Sequence, residues 1–329
     1  MKRRQFVNRA ATSSLALAFM GTIACKQDSK KTAPVTGAEN NLDPATMDAE
    51  EAEMFFQISL AQWSFHRALK SGEMDNLDFA AKARSLGCEG LEYVNQFFAD
   101  KAKDTAYLTT MNERAEAEGL QNVLLMVDGE GSLADSDAKK RLQAIENHYK
   151  WVEAANFLGC HAIRVNLGGG KEMEAAAKAG IDSLSKLSEF AKDANIEILV
   201  ENHGGFSSNG AWLAGVMEKV NLENCGTLPD FGNFCIEYGE NHSCAKEYDR
   251  YKGIAEMLPH AKAISAKSHD FDDQGNETQI DYLKVMKMVK DSGYRGFVGI
   301  EYEGSVLPEE EGVIKTRDLL LKVGKELGV

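Results

Sequence analysis

The chain has no surplus of positive charge. Its 37 Lys and Arg are outnumbered by 51 Asp and Glu, for a net charge of −14. The pI is about 5.1. No basic patch is there to hold phosphates, which argues against a nucleic-acid partner. A free anionic polymer is an equally poor fit, and a small neutral substrate or a metal cation suits the balance better. The six cysteines include no CxxC pair. Cys88 and Cys160 each follow a glycine at the start of an apolar stretch, where a small buried thiol packs well. With Cys25 set aside, an odd number remains. A Cys235–Cys244 bridge is open, and sequence alone does not decide it. The apolar run at residues 15–20 is too short to cross a bilayer. What remains is ordinary for a soluble globular protein: 43% hydrophobic and 27% charged over 329 residues. That length suits one α/β barrel or two smaller domains.

The first 25 residues read as an address. Lys2-Arg3-Arg4-Gln5-Phe6-Val7 resembles a twin-arginine export signal, and Thr22-Ile23-Ala24-Cys25 resembles a lipobox with Thr in place of the usual Leu. This predicts cleavage before Cys25, lipidation of its thiol and a bacterial lipoprotein facing the periplasm. A plain cleaved signal peptide is the alternative. Residues 26–53 hold almost no large apolar side chain. They read as a flexible tether, because they cannot bury enough surface to order themselves.

From residue 54 to 329 a unit recurs. Alanine-rich amphipathic helices stop at a glycine or asparagine, and a short apolar strand follows. Strands are predicted at residues 58–63, 90–94, 123–127, 162–166, 196–201, 225–230, 261–267 and 297–301. A spacing of roughly 30 to 40 residues is that of a β-plus-α unit, and the whole has the length of a single-domain (β/α)8 TIM barrel. A doubly wound sheet is the alternative. It would carry a glycine-rich fingerprint after its first strand, where Trp63-Ser64-Phe65-His66-Arg67 stands instead.

The run Ile196-Glu197-Ile198-Leu199-Val200-Glu201 reads as a strand buried on both faces that ends in a carboxylate. Such a group is costly to bury without a cation or a task. Strand C-termini form the active face of a barrel. Reading them off gives Trp63 and His66, Glu92, Asp128, Arg164 and Asn166, Glu201 and His203, Asp230 and Asn233, Lys267 and His269, and Glu301 and Glu303. Glu201, Asp230 and Glu301 end the fifth, sixth and eighth strands. Three neighbouring carboxylates need a cation or a retained proton. Oxygen-rich ligation suits Mn²⁺ or Mg²⁺, and imidazole adds Co²⁺ or Zn²⁺.

The order Glu, Asp, a polar residue on the seventh strand, Glu resembles the xylose-isomerase-like barrel superfamily of sugar isomerases, epimerases and related enzymes. Gly293-Tyr294-Arg295-Gly296-Phe297-Val298-Gly299-Ile300-Glu301 is similar to that family's final strand. Val200-Glu201-Asn202-His203-Gly204 and Leu228-Pro229-Asp230-Phe231-Gly232-Asn233 are similar to its fifth and sixth. The resemblance implies metal ligation by Glu201, Asp230 and Glu301, with proton transfer by Glu201 and Glu301. The family's seventh strand usually reads His-x-Lys-Asp with the histidine on the metal, and Ser265 stands at that position here. His269, of the same strand parity, is the expected fourth ligand, with water or Lys267 as the alternative occupant. Lys267 either stabilises an oxyanion or pairs with Glu301 or Glu303. Trp63 and His66 are expected against a sugar face, although Trp63 also suits the core. Glu92, Arg164, Asn166, His203, Asn233 and Glu303 are expected around substrate hydroxyls, although Arg164 also suits a brace for Glu92 or Glu201. His148 is expected at the surface.

The expected function is a divalent-metal-dependent sugar isomerase or epimerase, with Mn²⁺ first among the metals. It would remove a proton beside a carbonyl to form an enediolate. A lyase using the same enolate for β-elimination on a keto-glycoside is the first alternative. A non-catalytic sugar-binding lipoprotein is the second, and it would not need Glu201 together with Glu301. The expected partner is a neutral sugar or glycoside; the membrane enters only through the lipid anchor, and the oligomeric state is open.

Overall fold

A computed structural model of the chain describes residues 54–328; the signal expected over 1–25 and the tether expected over 26–53 lie outside the described residues. The elements alternate. β1 (Gln57–Ala61) leads through α1 (His66–Ser71) and α2 (Phe79–Ser85) to β2 (Gly90–Val94). Then come α3 (Thr105–Ala117), β3 (Gln121–Val127), α4 (Ala138–Leu158) and β4 (Ala162–Asn166). After α5 (Met173–Lys192) and β5 (Glu197–Glu201) follow α6 (Gly210–Val220) and β6 (Cys225–Leu228). A hairpin of β7 (Cys235–Tyr238) and β8 (Cys244–Glu247) precedes α7 (Arg250–Met257). β9 (Ile264–Ser268), α8 (Tyr282–Asp291), β10 (Phe297–Tyr302) and α9 (Glu309–Leu327) complete the chain.

Eight strands pair in the order β6-β5-β4-β3-β2-β1-β10-β9. Every pairing along that sheet is parallel. Parallel bridges Thr227–Ala261 and Asp230–Ser265 join β6 to β9 and close the ring. The result is the expected (β/α)8 barrel. Helix ends are where predicted: α4 stops at Gly159 (φ 76°), and Asn195 (φ 54°) does the same work after α5. A left-handed residue there reverses the chain into the next strand.

Period-two alternation sorts the side chains. On β5, Ile198 and Val200 join the layer between strands and helices. Leu199 points the other way, into an interior cluster with Leu124, Ala162, Leu228, Ala263 and Phe297. The hairpin was not anticipated. It is short and mostly exposed, and it lacks a buried apolar stripe. Cys235 and Cys244 form a disulfide across it, while Cys88, Cys160 and Cys225 are free thiols.

Candidate active site at the barrel mouth

One residue pair beyond the apolar floor, the inward positions turn polar. Glu201 ends β5 and Glu301 lies on β10, and both are buried, as is Asp230 beyond β6. Each offers an oxygen, and these atoms lie within 4.8 Å of one another. They come together because inward positions recur every second residue on strands that the barrel makes neighbours. Asn202 secures this corner: its amide donates to the Asp230 carbonyl at 2.9 Å, and its Oδ1 accepts from the Asp230 N–H at 2.7 Å. The N–H groups of Gly232 and Asn233 donate to Asp230 Oδ1, each at 2.8 Å.

Two cations serve this cluster. Lys267 Nζ lies 3.1 Å from Glu301 Oε1, 2.8 Å from Glu303 Oε2 and 3.8 Å from Asp230 Oδ2. Burial works against its charge, but Asp230, Glu301 and Glu303 raise its pKa well above the usual lysine value. Arg164 Nη1 pairs with Asp128 Oδ1 at 2.6 Å, and its Nε lies 2.9 Å from Glu201 Oε2. That last approach is too poorly aligned for a hydrogen bond, so Glu201 Oε2 is a buried oxygen with no donor.

The electrostatics divide the carboxylates. Burial raises Glu201 to about 7 against the pull of Arg164, with Glu301 adding to the rise. Burial likewise raises Asp230 to about 7 against Lys267. Burial would raise Glu303 too, but Lys267 holds it down at about 2. The same contest, won by Arg164, leaves Asp128 at about 2. Carboxyl groups at about 7 sit between proton and cation as counter-charge, which is the condition for acid–base work near neutrality.

The remaining expected residues fall into three groups. Some face the mouth. Trp63 is half-buried and its Nε1 donates to Glu303. Its ring stacks on His66, 5.0 Å between centroids. His203, two residues past Glu201, keeps an exposed edge, yet loss of water around its ring, then Arg164 and Lys267, lower its pKa. Asn233 donates to Glu201 Oε1 at 3.1 Å. Others brace. Arg164 pairs with Asp128 and lies against Glu201. Asn166 donates to Asp128 Oδ1 at 2.6 Å. Glu92 lies buried inside the barrel, accepting from Ser59 Oγ at 2.6 Å. Burial raises it to about 8. Gly299 makes room for it, since a Cβ there would stand 2.3 Å from Glu92 Oε1.

His269 is a correction. It is absent from the carboxylate cluster. Its N–H donates to Glu277 Oε1 at 3.2 Å, and its ring lies near Glu303. β9 ends at Ser268, so strand parity no longer carries to residue 269. Ser265 takes the position instead: its hydroxyl reaches Asp230 Oδ2 at 2.7 Å and Glu301 Oε2 at 3.0 Å. The register of the family resemblance already set Ser265 at this position. His148 is a second correction. It is buried, and Nδ1 bonds the Ala144 carbonyl at 2.7 Å.

A family pattern described as the xylose isomerase-like TIM barrel matches residues 80–323. The chain belongs to that family. Solved barrels agree in fold. A sugar phosphate isomerase/epimerase from Parabacteroides distasonis is 16% identical, with TM-score 0.62 over 84% of this chain and 98% of that one. D-psicose 3-epimerase from Clostridium cellulolyticum, solved with D-tagatose, is 12% identical, with TM-score 0.64 over 81% and 99%. A 3-keto-D-glucoside 4-epimerase from E. coli is 13% identical, with TM-score 0.60 over 82% and 100%. Identities this low speak for the family's fold alone. None of the curated proteins matches the chain by sequence. A cavity of about 890 Å³ opens at the opposite end of the strands, lined by His161, Ser188, Glu197 and Asn224 among others. It shares no residue with the carboxylate cluster.

Proposed function

We propose that the chain is a sugar epimerase or isomerase that moves a proton on a carbon next to a carbonyl, on a neutral keto-sugar. The observation that carries this reading is the convergence of Glu201, Asp230 and Glu301, all buried, at the mouth of a barrel of this family. Three carboxylates in such a place are costly and contribute nothing that an apolar mouth would not supply.

The donor set fits a hard divalent ion. It is all oxygen, it includes the donorless Glu201 Oε2, and no imidazole joins it, which favours Mn²⁺ or Mg²⁺ over softer metals. Such an ion supplies a Lewis acid for the carbonyl and hydroxyl oxygens of the substrate. The chain's own groups do the rest. Glu201 and Glu301 stand on strands separated by β6 and β9, so each addresses a bound carbon from its own side. One takes the proton and the other returns it. Arg164 fixes the Glu201 carboxylate, and Lys267 lends positive charge to the developing oxyanion. Trp63, held by Glu303 and flanked by the His66 ring and the Lys70 ammonium, stands at the mouth as the aromatic contact for the sugar.

Export as a periplasmic lipoprotein stays part of this reading. The Cys235–Cys244 disulfide supports it, because such bonds persist in oxidising compartments. A periplasmic enzyme meets neutral sugars more than phosphorylated ones. The test is a panel of keto-sugars incubated with Mn²⁺-loaded protein in heavy water. Deuterium at the carbon beside the carbonyl is the expected result; no exchange on any member of the panel overturns the proposal.

A further inference from the structure

The hairpin inserted after β6 does no evident work for the barrel. β8 is exposed along its length, as is the outer half of β7. Yet the chain fixes it in three ways. The disulfide crosses it from Cys235 to Cys244, and Cys244 is the strand partner of Tyr238. Gly204, three residues past Glu201, has φ +88° and would place a Cβ 2.6 Å from Tyr238 Oη. The phenol end therefore rests on bare backbone that no other residue provides. Beneath it, Ser208 Oγ accepts from the Gly204 N–H at 2.9 Å and donates to the Asn233 carbonyl at 2.7 Å. Despite this fixation Tyr238 is 57% exposed. A large aromatic side chain held still and left open to solvent is a surface built for contact.

Its position sets what it can touch. Tyr238 stands on the loop after β5, and Trp63 follows β1. In the ring order these two strands are four apart and face one another across the barrel. Eight strands spaced about 4.8 Å apart and tilted about 36° enclose a ring roughly 15 Å across. A sugar ring is far narrower, on the order of 5 Å. One ring held by Trp63 and Glu303 over the carboxylates cannot also reach Tyr238, but a second, glycosidically linked ring can. Both platforms are aromatic, and both stand beside hydrogen-bonding groups: His203 beside Gly204, and Glu303 at Trp63.

We infer that Tyr238 and its stapled hairpin form a second sugar subsite, so that the substrate is a two-ring neutral glycoside rather than a free monosaccharide. This rests on the epimerase reading above. The experiment compares deuterium exchange on D-fructose with exchange on lactulose and maltulose, which carry the same ketose with a β- or α-linked second ring. Wild type should prefer a disaccharide by tenfold or more in kcat/KM. Tyr238→Ala should collapse the disaccharide-to-fructose ratio towards one, while Tyr238→Phe, which keeps the ring, retains it. The Cys235→Ser/Cys244→Ser pair should lower the ratio in part, with thermal melting showing an intact barrel. Exchange on fructose with no disaccharide preference, or an equal loss on all three sugars in Tyr238→Ala, overturns the subsite and leaves the epimerase reading standing. No exchange on any of the three sugars in wild type overturns both.

Discussion

The floor and the mouth of the barrel interior are built by the same strands, two to four residues apart. On β5 the step is from Leu199 to Glu201, on β9 from Ala263 through Ser265 to Lys267, and on β10 from Phe297 through Gly299 to Glu301. Below, Leu124, Ala162, Leu199, Leu228 and Ala263 pack into a dry plug. Above, the cations Lys267 and Arg164 stand among Glu201, Asp230, Glu301, Glu303 and Asp128. The mouth is itself uneven: over β1–β3 it is walled by Ala61, Val94 and Met126 with Trp63 and Phe97 beside them. The difference teaches that the floor makes the chemistry above it. A sealed apolar plug keeps water from screening the carboxylates, which is why burial leads the causes raising Glu201 and Asp230. Stability is stored in one layer and reactivity in the other.

Four changes break or sharpen that contrast. Glu301→Gln or Glu201→Gln should cut deuterium exchange by about a thousandfold, the scale of losing a positioned acid or base. Circular dichroism and the melting temperature should stay near wild type; exchange close to wild type would remove the carboxylates from the mechanism. In the floor, Leu124→Ala should do the reverse. Chemical denaturation should show a loss of about 3 kcal/mol from the cavity it leaves, with a far smaller loss of exchange per folded molecule than either carboxylate change.

The third change is pH. Glu201 and Asp230 have folded pKa values of about 7 against 4.5 and 3.8 for the same groups in water. They bind protons more tightly folded than unfolded, so their contribution to stability is whole below about pH 4. It is lost as pH rises through 7, by on the order of 3 kcal/mol per group. Asp128 and Glu303, held at about 2, act oppositely: their contribution is present above about pH 4.5 and lost as pH falls towards 2. Melting in chelator should therefore weaken between pH 5 and 7, and added Mn²⁺ should remove that slope; a flat profile in chelator would contradict the buried-carboxyl picture. The smallest effect belongs to His269→Ala, which should leave calorimetric Mn²⁺ binding within about twofold of wild type, since it stands outside the cluster; a tenfold loss would restore it as a ligand.

Much of this was legible in the sequence because strands and barrels are periodic. The helix-to-strand repeat put Glu201, Lys267 and Glu301 at the ends of their strands and supplied the ring that gathers them. Legibility ended where the period ended. His269 shares the parity of Lys267, but the strand stops at Ser268 and the chain turns to Glu277. Arg164 and Glu92 sit on inward positions as read, yet their partners across the interior, Asp128 and Ser59, come from other strands that no spacing reveals. The β7–β8 hairpin showed only as an open Cys235–Cys244 pairing, being too short and too exposed for an apolar pattern.

The sequence alone determined the alternation of elements, the inward face of each strand and the residues at its end, since these follow from local geometry repeated along the chain. The tertiary structure decided which of those ends meet, which charges pair and which carboxyls keep their protons. Those outcomes depend on distances between strands far apart in the chain and on how completely the closed barrel shuts out water.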